Sequence, residues 1–139
     1  MQNSASACAP PIARVILYVK NIPKVAAFYQ QIFGMTRLEG KSDGWQVLVS
    51  PNGGSPIALF KAAVSQKSGA AMKLVFSVPD VQDFKRAAKK KGAKFGPVHQ
   101  ADHNGKPYEF ANAKDPNGNS ISISSRGVKK TTFERARLI

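Results

Sequence analysis

The first clear pattern in the chain is a strand followed by a helix. Val15, Leu17 and Val19 recur at every second position, which is the period of a strand with one buried face. Asn21 suits a helix cap, and apolar side chains then recur at helical spacing. Three shorter strands are predicted after this helix, at residues 35–39, 45–49 and 57–60. Residues 12–62 are therefore predicted to form one βαβββ module.

The same pattern returns in the second half of the chain. Residues 73–81 repeat the apolar order of residues 14–22, and a second helical pattern follows until Gly92. Three strands are predicted next, at residues 94–98, 108–112 and 120–124, with loops at 99–107 and 114–119. The tripeptide Pro-Asn-Gly precedes the last strand of each half. Residues 70–125 are thus predicted to form a second module, and the two must pack together because neither can bury its apolar face alone.

The two faces of the predicted strands differ in character. One face is wholly aliphatic or aromatic and is predicted to pack on the helices: Val15, Leu17, Val19, Ile57, Leu59, Leu74, Phe76, Val78, Ile121 and Ile123. The opposite face is mixed: Arg14, Ile16, Tyr18, Lys73, Val75, Ser77, Ser120, Ser122 and Ser124. Buried charges need partners, so this face is predicted to line a hollow that holds water or a ligand. The alternative is an open sheet face in contact with bulk solvent.

Length and cysteine content limit the class of protein. At 139 residues the chain is one domain by length. Its single cysteine, Cys8, can build neither an internal disulfide nor a cysteine metal site, and a cytoplasmic location is expected. Residues 1–11 are predicted to be a disordered leader. No apolar stretch is long enough to span a bilayer, so no membrane partner is expected.

Net charge is the other unusual property. The formal charge of +13, from 21 basic and 8 acidic residues, favours anionic partners. Many cations lie between Lys85 and Lys94 on the second helix, and in a basic C-terminal tail, residues 126–139. Acidic side chains begin that helix and lysines end it, which complements the helix dipole. No aromatic side chains alternate with the lysines to stack on bases, so nucleic acid is an unlikely partner. A basic module that binds an acidic partner is an alternative.

Several short motifs, in their order along the chain, resemble one family. They are Tyr18-Val19-Lys20-Asn21, Phe28-Tyr29, Phe33-Gly34-Met35, Val78-Pro79-Asp80-Val81 and Asp115-Pro116-Asn117-Gly118-Asn119. Together with the internal repeat, they resemble the vicinal oxygen chelate superfamily, which contains glyoxalase I, extradiol dioxygenases, fosfomycin-modifying enzymes and bleomycin resistance proteins. The resemblance covers residues 12–125. It implies an α+β fold in which two βαβββ modules form curved mixed sheets around a shared cavity, commonly in a homodimer.

The resemblance also implies a metal site, which this sequence does not support. Metal-using members place a histidine on the first strand of a module and a glutamate on its last strand, so that four ligands meet at one divalent cation. The matching positions here are Arg14, Lys73, Ala58 and Ser122. None can supply the expected ligand, and we expect a metal-free member without a cofactor. An alternative metal site would use His99, Asp102, His103 and Glu109.

The cations at the first strands point to an anionic ligand instead. The repeat relates Arg14 to Lys73, and together they would favour an anion. The candidate ligand-binding residues are Arg14, Tyr18, Trp45, Lys73, Ser77, His103, Tyr108, Phe110 and Ser122. Core packing is the alternative role for each aromatic ring. The predicted function is a glyoxalase-like protein that sequesters or senses a small anionic molecule.

Enzymatic alternatives stay open at the level of sequence. A lyase, isomerase or dioxygenase of the glyoxalase type could use displaced metal ligands, or metal-independent acid–base chemistry through Lys73 or a loop histidine. No nucleophile, base and orienting group can be aligned along the chain. The catalytic residues are therefore left unassigned.

Overall fold

A computed structural model describes residues 12–41, 44–63 and 72–126. They form β1 (Val15–Val19), α1 (Ile22–Phe33), β2 (Thr36–Lys41), β3 (Trp45–Val49), β4 (Ile57–Lys61), β5 (Lys73–Ser77), α2 (Val81–Lys90), β6 (His99–His103), β7 (Lys106–Lys114) and β8 (Ser120–Ser124). The predicted leader and the predicted tail beyond Arg126 lie outside the described residues.

The strands form two four-stranded mixed sheets of the same topology. Their orders are β1-β4-β3-β2 and β5-β8-β7-β6. In each module the first and last strands are parallel neighbours, with Val15 beside Ile57 and Lys73 beside Ser120. The other neighbouring strands are antiparallel. The predicted α+β class with two βαβββ modules is confirmed.

Both helices begin and end where local chemistry predicts. The Asn21 side chain caps α1 by accepting a hydrogen bond from the Lys24 amide at 3.0 Å, and Gly34 ends the helix with a left-handed φ of 67°. Asp80 caps α2 by accepting from the Asp83 amide at 3.0 Å. In the described part of the chain, no helix has the length and apolar character needed to cross a bilayer.

The two modules share one hydrophobic core. All the side chains predicted to face the helices belong to this core or pack against it. Rings from both modules meet against this core, where Phe33 of α1 stacks on Phe76 of β5 with ring centroids 3.9 Å apart. Phe33 also stacks on Phe84 of α2 at 5.5 Å. The helix-bearing faces of the sheets are thus sealed, and the opposite faces are the ones that can receive a ligand.

A buried carboxylate joins the β7–β8 turn of the second module to the first. The Tyr29 hydroxyl donates to Asp115 Oδ2 at 2.7 Å, and the Asn119 side-chain amide donates to the same oxygen at 2.9 Å. The backbone amides of Asn117 and Asn119 donate to Oδ1 at 2.9 Å. The Lys20 amide then donates to Asn117 Oδ1 at 3.0 Å. Polar contacts therefore fix this turn to the first module at two places, at Lys20 just before α1 and at Tyr29 within α1.

One predicted strand of the second module is wrong, and a predicted loop is a hairpin. Residues 93–98 are irregular, whereas 99–107 contain β6, a two-residue turn and the start of β7. Asn104 and Gly105 both have positive φ, 53° and 77°, and His103 pairs with Lys106 across them. Asn-Gly favours this turn because its twist matches that of paired strands. Burial of Ala93 and Phe95 gives residues 93–98 a strand-like period, but the segment forms no strand, although the Gly96 amide donates one hydrogen bond to the Asn112 carbonyl of β7 at 2.8 Å.

The buried tyrosine predicts a loss of stability in alkali. Burial, with the neighbouring Asp115 carboxylate, raises the pKa of the Tyr29 hydroxyl above its usual value. Above about pH 10 an unfolded tyrosine loses its proton while folded Tyr29 keeps it, so this group lowers the free energy of unfolding by up to about 1.4 kcal/mol per pH unit. Below pH 10 its contribution is complete.

Urea unfolding of the wild type and Tyr29→Phe at several pH values checks this expectation. The stability difference between the two proteins should be constant at neutral pH and narrow above about pH 10. Titration of other groups cancels in the comparison. Parallel stability curves through pH 11 would contradict the assignment.

Candidate functional site

The outer face of the second sheet, meaning the face turned away from α2, carries a cavity. Its volume is about 390 Å³, which is in the range of small-molecule sites. The lining side chains come from β5, β7 and β8 and from Arg126, two residues after β8. They are Lys73, Val75, Ser77, Tyr108, Phe110, Ser122, Ser124 and Arg126. Because alternate residues of a strand share a face, the strand pattern places these side chains together and sends their neighbours into the core.

Two cations mark the cavity. Lys73 Nζ donates to the Asn112 side-chain oxygen at 3.1 Å. The Arg126 guanidinium carbon lies 5.8 Å from the centroid of the Tyr108 ring, in a cation–π arrangement. Arg126 Nη2 is 3.1 Å from His103 Nε2, and since a guanidinium only donates, this nitrogen of His103 is the acceptor. The two cations are therefore held by different partners.

The serines and aromatic rings of the cavity differ in their exposure and in the hydrogen bonds that they already make. Ser122 Oγ is buried and donates to the Ala111 carbonyl at 3.1 Å. Ser124 Oγ accepts from the Arg126 amide at 3.1 Å, whereas Ser77 is exposed. Phe110 and Tyr108 are half-buried, with ring centroids 6.2 Å apart. The two ring planes are tilted by 36° to each other, and Ser77 belongs to the same lining.

The candidates from the first module lie elsewhere. Arg14 is exposed and precedes β1. Tyr18 is 47% exposed on the outer face of the first sheet, with an edge contact to Phe60 at 6.2 Å. Trp45 of β3 pairs with Phe60 of β4 on that sheet. None of the three lines the cavity of the second sheet, and a role for them in ligand binding stays a prediction.

Among the predicted site residues, the structure brings together those of the second module: Lys73, Ser77, Tyr108, Phe110 and Ser122. His103 reaches the same site through Arg126. Sequence reasoning missed Arg126 by assigning it to the tail. Its position two residues after Ser124 keeps the alternation of β8 and was the signal available.

A comparison with family models gives one match over most of the chain. The model for the glyoxalase/bleomycin resistance protein/dioxygenase superfamily matches residues 11–123. The chain belongs to this superfamily. A comparison of the sequence with curated proteins finds no significant match.

Solved structures of this superfamily's fold resemble the chain at low sequence identity. Lactoylglutathione lyase from Agrobacterium tumefaciens is 21% identical, with a TM-score of 0.65 over 84% of this chain and 94% of that one. A possible glyoxalase from Bacillus cereus is 18% identical, with a TM-score of 0.62 over 83% and 98%.

A third structure is a mutant of the fosfomycin resistance protein FosX from Listeria monocytogenes, complexed with Mn(II) and 1S,2S-dihydroxypropylphosphonic acid. It is 15% identical, with a TM-score of 0.63, over 91% of this chain and 97% of that chain. At these identities the likeness of the glyoxalase-superfamily neighbours shows the shared fold.

The residues at the positions that the sequence resemblance assigns to the metal ligands do not fit a divalent metal. Lys73 is a cation bound to Asn112, Ser122 directs its hydroxyl hydrogen to a backbone carbonyl, and Ala58 carries no donor atom. Within residues 12–41, 44–63 and 72–126, no group of three His, Cys, Asp or Glu side chains could hold a metal ion. We therefore derive no chemistry through a metal.

The alternative metal site on the loop also fails geometrically. His99 and His103 are on β6, where they occupy positions of one parity, and Asp102 has the other parity. Glu109 pairs with Gln100 across the strands, and its carboxylate accepts a hydrogen bond from the Gln100 side chain. Since strand neighbours point to opposite faces, the two imidazoles and the two carboxylates do not converge.

Proposed function

We propose that this superfamily member is a binding protein that holds a small anionic molecule in the cavity of its second module, without the superfamily's metal ion. The observation that carries the proposal is the charge of the cavity. Lys73 and Arg126 line it, and none of the described residues that line it is acidic. The cavity would therefore attract an anion, because the positive charges of Lys73 and Arg126 are not balanced by a carboxylate among the described lining residues.

The surroundings of the two cations support the same conclusion. Glu109 is the acidic residue of β7, but its carboxylate contacts Gln100 and its strand neighbour Phe110 is the residue that lines the cavity. Alternation along β7 therefore turns the carboxylate away from the anion site. Apolar rings beside a few polar anchors are typical of small-molecule sites, so the ligand is expected to carry a flat or apolar part.

Replacing Lys73 by methionine tests the proposal. Lys73→Met is expected to weaken the binding of benzoate or phenyl phosphate roughly 10-fold, because it removes a charge-assisted hydrogen bond. Isothermal titration calorimetry of the purified protein measures the change. Lys90→Met is the matched control, since it removes the same charge from the last turn of α2, outside the cavity lining.

Equal affinities of the wild type and Lys73→Met for both anions would contradict the proposed site. The metal-free part of the proposal has its own control. Treatment with EDTA, followed by dialysis, should leave the affinity for the anions unchanged, because no metal ligand set is built around the site. Loss of binding after EDTA, restored by a divalent cation, would contradict that part.

Homodimer formation is the second part of the proposal. The cavity is open in the single chain, where Val75 is 59% exposed, and the outer face of the first sheet exposes Ile16 and Tyr18 by 40% and 47%. Exposed apolar side chains on one sheet face indicate an interaction surface. A second copy that places its first sheet over the second sheet of its partner would cover both faces and close the cavity.

Tyr18→Glu is expected to weaken this dimer at least roughly 10-fold, since a carboxylate would be buried without a partner. Sedimentation velocity over a concentration series measures the dimer dissociation constant. Gln82→Glu is the control, because it places the same charge on the exposed surface of α2. A wild-type chain that stays monomeric at high concentration would contradict dimer formation.

We also propose that the protein is cytoplasmic. A cytoplasmic location is supported by the single cysteine in the sequence.

Asp80 and Asp83 at the start of α2, with Lys89 and Lys90 at its end, fit the helix dipole. The basic helix is thereby explained without a macromolecular partner, and the ligand-binding function is the one that the geometry favours.

A further inference from the structure

The two cations of the cavity lie far apart along the sheet. Lys73 is at the start of β5, opposite Ser120 at the start of β8. Arg126 follows the other end of β8, two residues after Ser124. Each cation reaches a different residue of β7, since Lys73 Nζ binds the Asn112 side chain and the Arg126 guanidinium covers the Tyr108 ring. The distance between the two cations can therefore be estimated from the spacing of Asn112 and Tyr108 along β7.

Asn112 and Tyr108 are four residues apart on β7, which corresponds to roughly 13 Å at the rise of an extended strand. A single carboxylate or phosphate spans only a few ångströms, and an ion pair requires N···O distances of about 4 Å or less. One acidic group therefore cannot contact both cations in the positions they occupy. Mutual repulsion opposes bringing the two charges together around a small anion.

Apolar side chains of β5 and β7 lie between the two cations. Phe110 lies midway between Asn112 and Tyr108 on β7, and its ring is tilted against His99 with centroids 5.0 Å apart. Val75 lies midway between Lys73 and Ser77 on β5, and it is exposed. None of the described residues that line the cavity carries a carboxylate that could balance either cation. A bound monoanion would leave one cation unbalanced beside these apolar side chains.

We propose that the cavity takes an elongated ligand with an acidic group at each end and an apolar middle, such as a long-chain or aromatic diacid. This inference rests on the anion-binding function proposed above and specifies its ligand class. One acidic group binds Lys73, and the other binds Arg126, whose forked guanidinium suits a planar carboxylate or a phosphate. Phe110 and Val75 contact the middle of the ligand.

The arrangement assigns a separate task to His103. Its Nε2 accepts a hydrogen bond from Arg126 Nη2, and the Ser124 hydroxyl accepts from the Arg126 backbone amide. With Tyr108 on the other side, these contacts hold the arginine at its end of the cavity. His103 is thus a positioning residue for the second anion site rather than a ligand contact of its own.

Straight-chain dicarboxylates from succinate to sebacate, each paired with the monocarboxylate of equal length, test the inference. Calorimetry with the full chain should show affinity rising with the length of the diacid, and sebacate should bind roughly 10-fold or more tightly than decanoate. Arg126→Gln and Lys73→Gln should each reduce the affinity for sebacate to about that for decanoate. Lys90→Gln is the control for the change in net charge.

Equal affinities for sebacate and decanoate would overturn the inference. So would an Arg126→Gln protein that keeps its preference for sebacate. If monocarboxylates bind and depend on Lys73 alone, the diacid inference fails while the anion-binding function stands. If no carboxylate of the series binds, both fail. Arg126→Lys separates charge from geometry, and it should retain part of the preference for sebacate because the charge remains.

Discussion

Replacing Asp115 by alanine is expected to lower the free energy of unfolding by about 3 kcal/mol, among the largest effects of any single change in this chain. The carboxylate is 5% exposed and accepts hydrogen bonds from Tyr29, Asn117 and Asn119. Without it the Tyr29 hydroxyl is buried with no acceptor, and the turn loses the oxygen that organises its amides. Urea unfolding followed by the fluorescence of Trp45 measures the loss.

The internal repeat supplies a matched control for Asp115. Ser50 holds the equivalent position before Pro51, and its hydroxyl accepts a local hydrogen bond from the Asn52 amide, at 3.2 Å. Ser50→Ala is therefore expected to cost less than about 1 kcal/mol. Asp115→Asn, which keeps one acceptor oxygen, should fall between the two. An Asp115→Ala protein as stable as Ser50→Ala would show that the contact across the modules contributes little.

The two turns share the tripeptide Pro-Asn-Gly but differ in their contacts with the rest of the chain. Both contain Pro-Asn-Gly ahead of the last strand, and both strands pair in parallel with the first strand of their module. Only the second copy has the acidic residue that meets Tyr29. The repeat therefore predicts the turns, while the contact that joins the modules depends on a residue that breaks the repeat.

The fold was predictable because its strands are amphipathic. The side chains predicted to face the helices all belong to the shared core or pack against it. A one-residue shift in strand pairing would move every apolar side chain to the opposite face, so such a strand has a single favourable register. The strand β6 was not predictable in this way. Its five residues, His99 to His103, are all polar except Ala101, so both faces look alike in the sequence. The turn at Asn104 and Gly105 was the better signal.

The site was predictable only in part. The repeat correctly predicts that Lys73 lies on the first strand of its module and on the outer face of its sheet. It also pairs Arg14 with Lys73, but the two sheets share their core through the helix-bearing faces, so their outer faces point away from that core. Which cations share one cavity depends on the packing of the modules, and strand periodicity holds no information about that packing. Arg126 was missed for a different reason, since it follows the last predicted strand and was assigned to the tail.

The second large effect is expected at the ring that joins the modules. Phe33→Ala should lower the free energy of unfolding by about 3 kcal/mol, because it removes a large, partly buried side chain that packs against the core, and leaves a cavity. The ring stacks on Phe76 and Phe84 of the second module, with centroids 3.9 and 5.5 Å away, and aromatic pairs add to the burial of apolar area. Urea unfolding at fixed protein concentration measures the loss.

Phe33→Leu is the control for this prediction, since it keeps most of the apolar volume and removes the stacking. It should cost about 1 to 2 kcal/mol, clearly less than alanine. The ring lies between the modules, so its loss should also broaden or split the unfolding transition if the modules then unfold separately. A cost for Phe33→Ala below about 1 kcal/mol would mean that the modules are joined mainly by polar contacts such as those of Asp115, and the two substitutions together decide which contribution is larger.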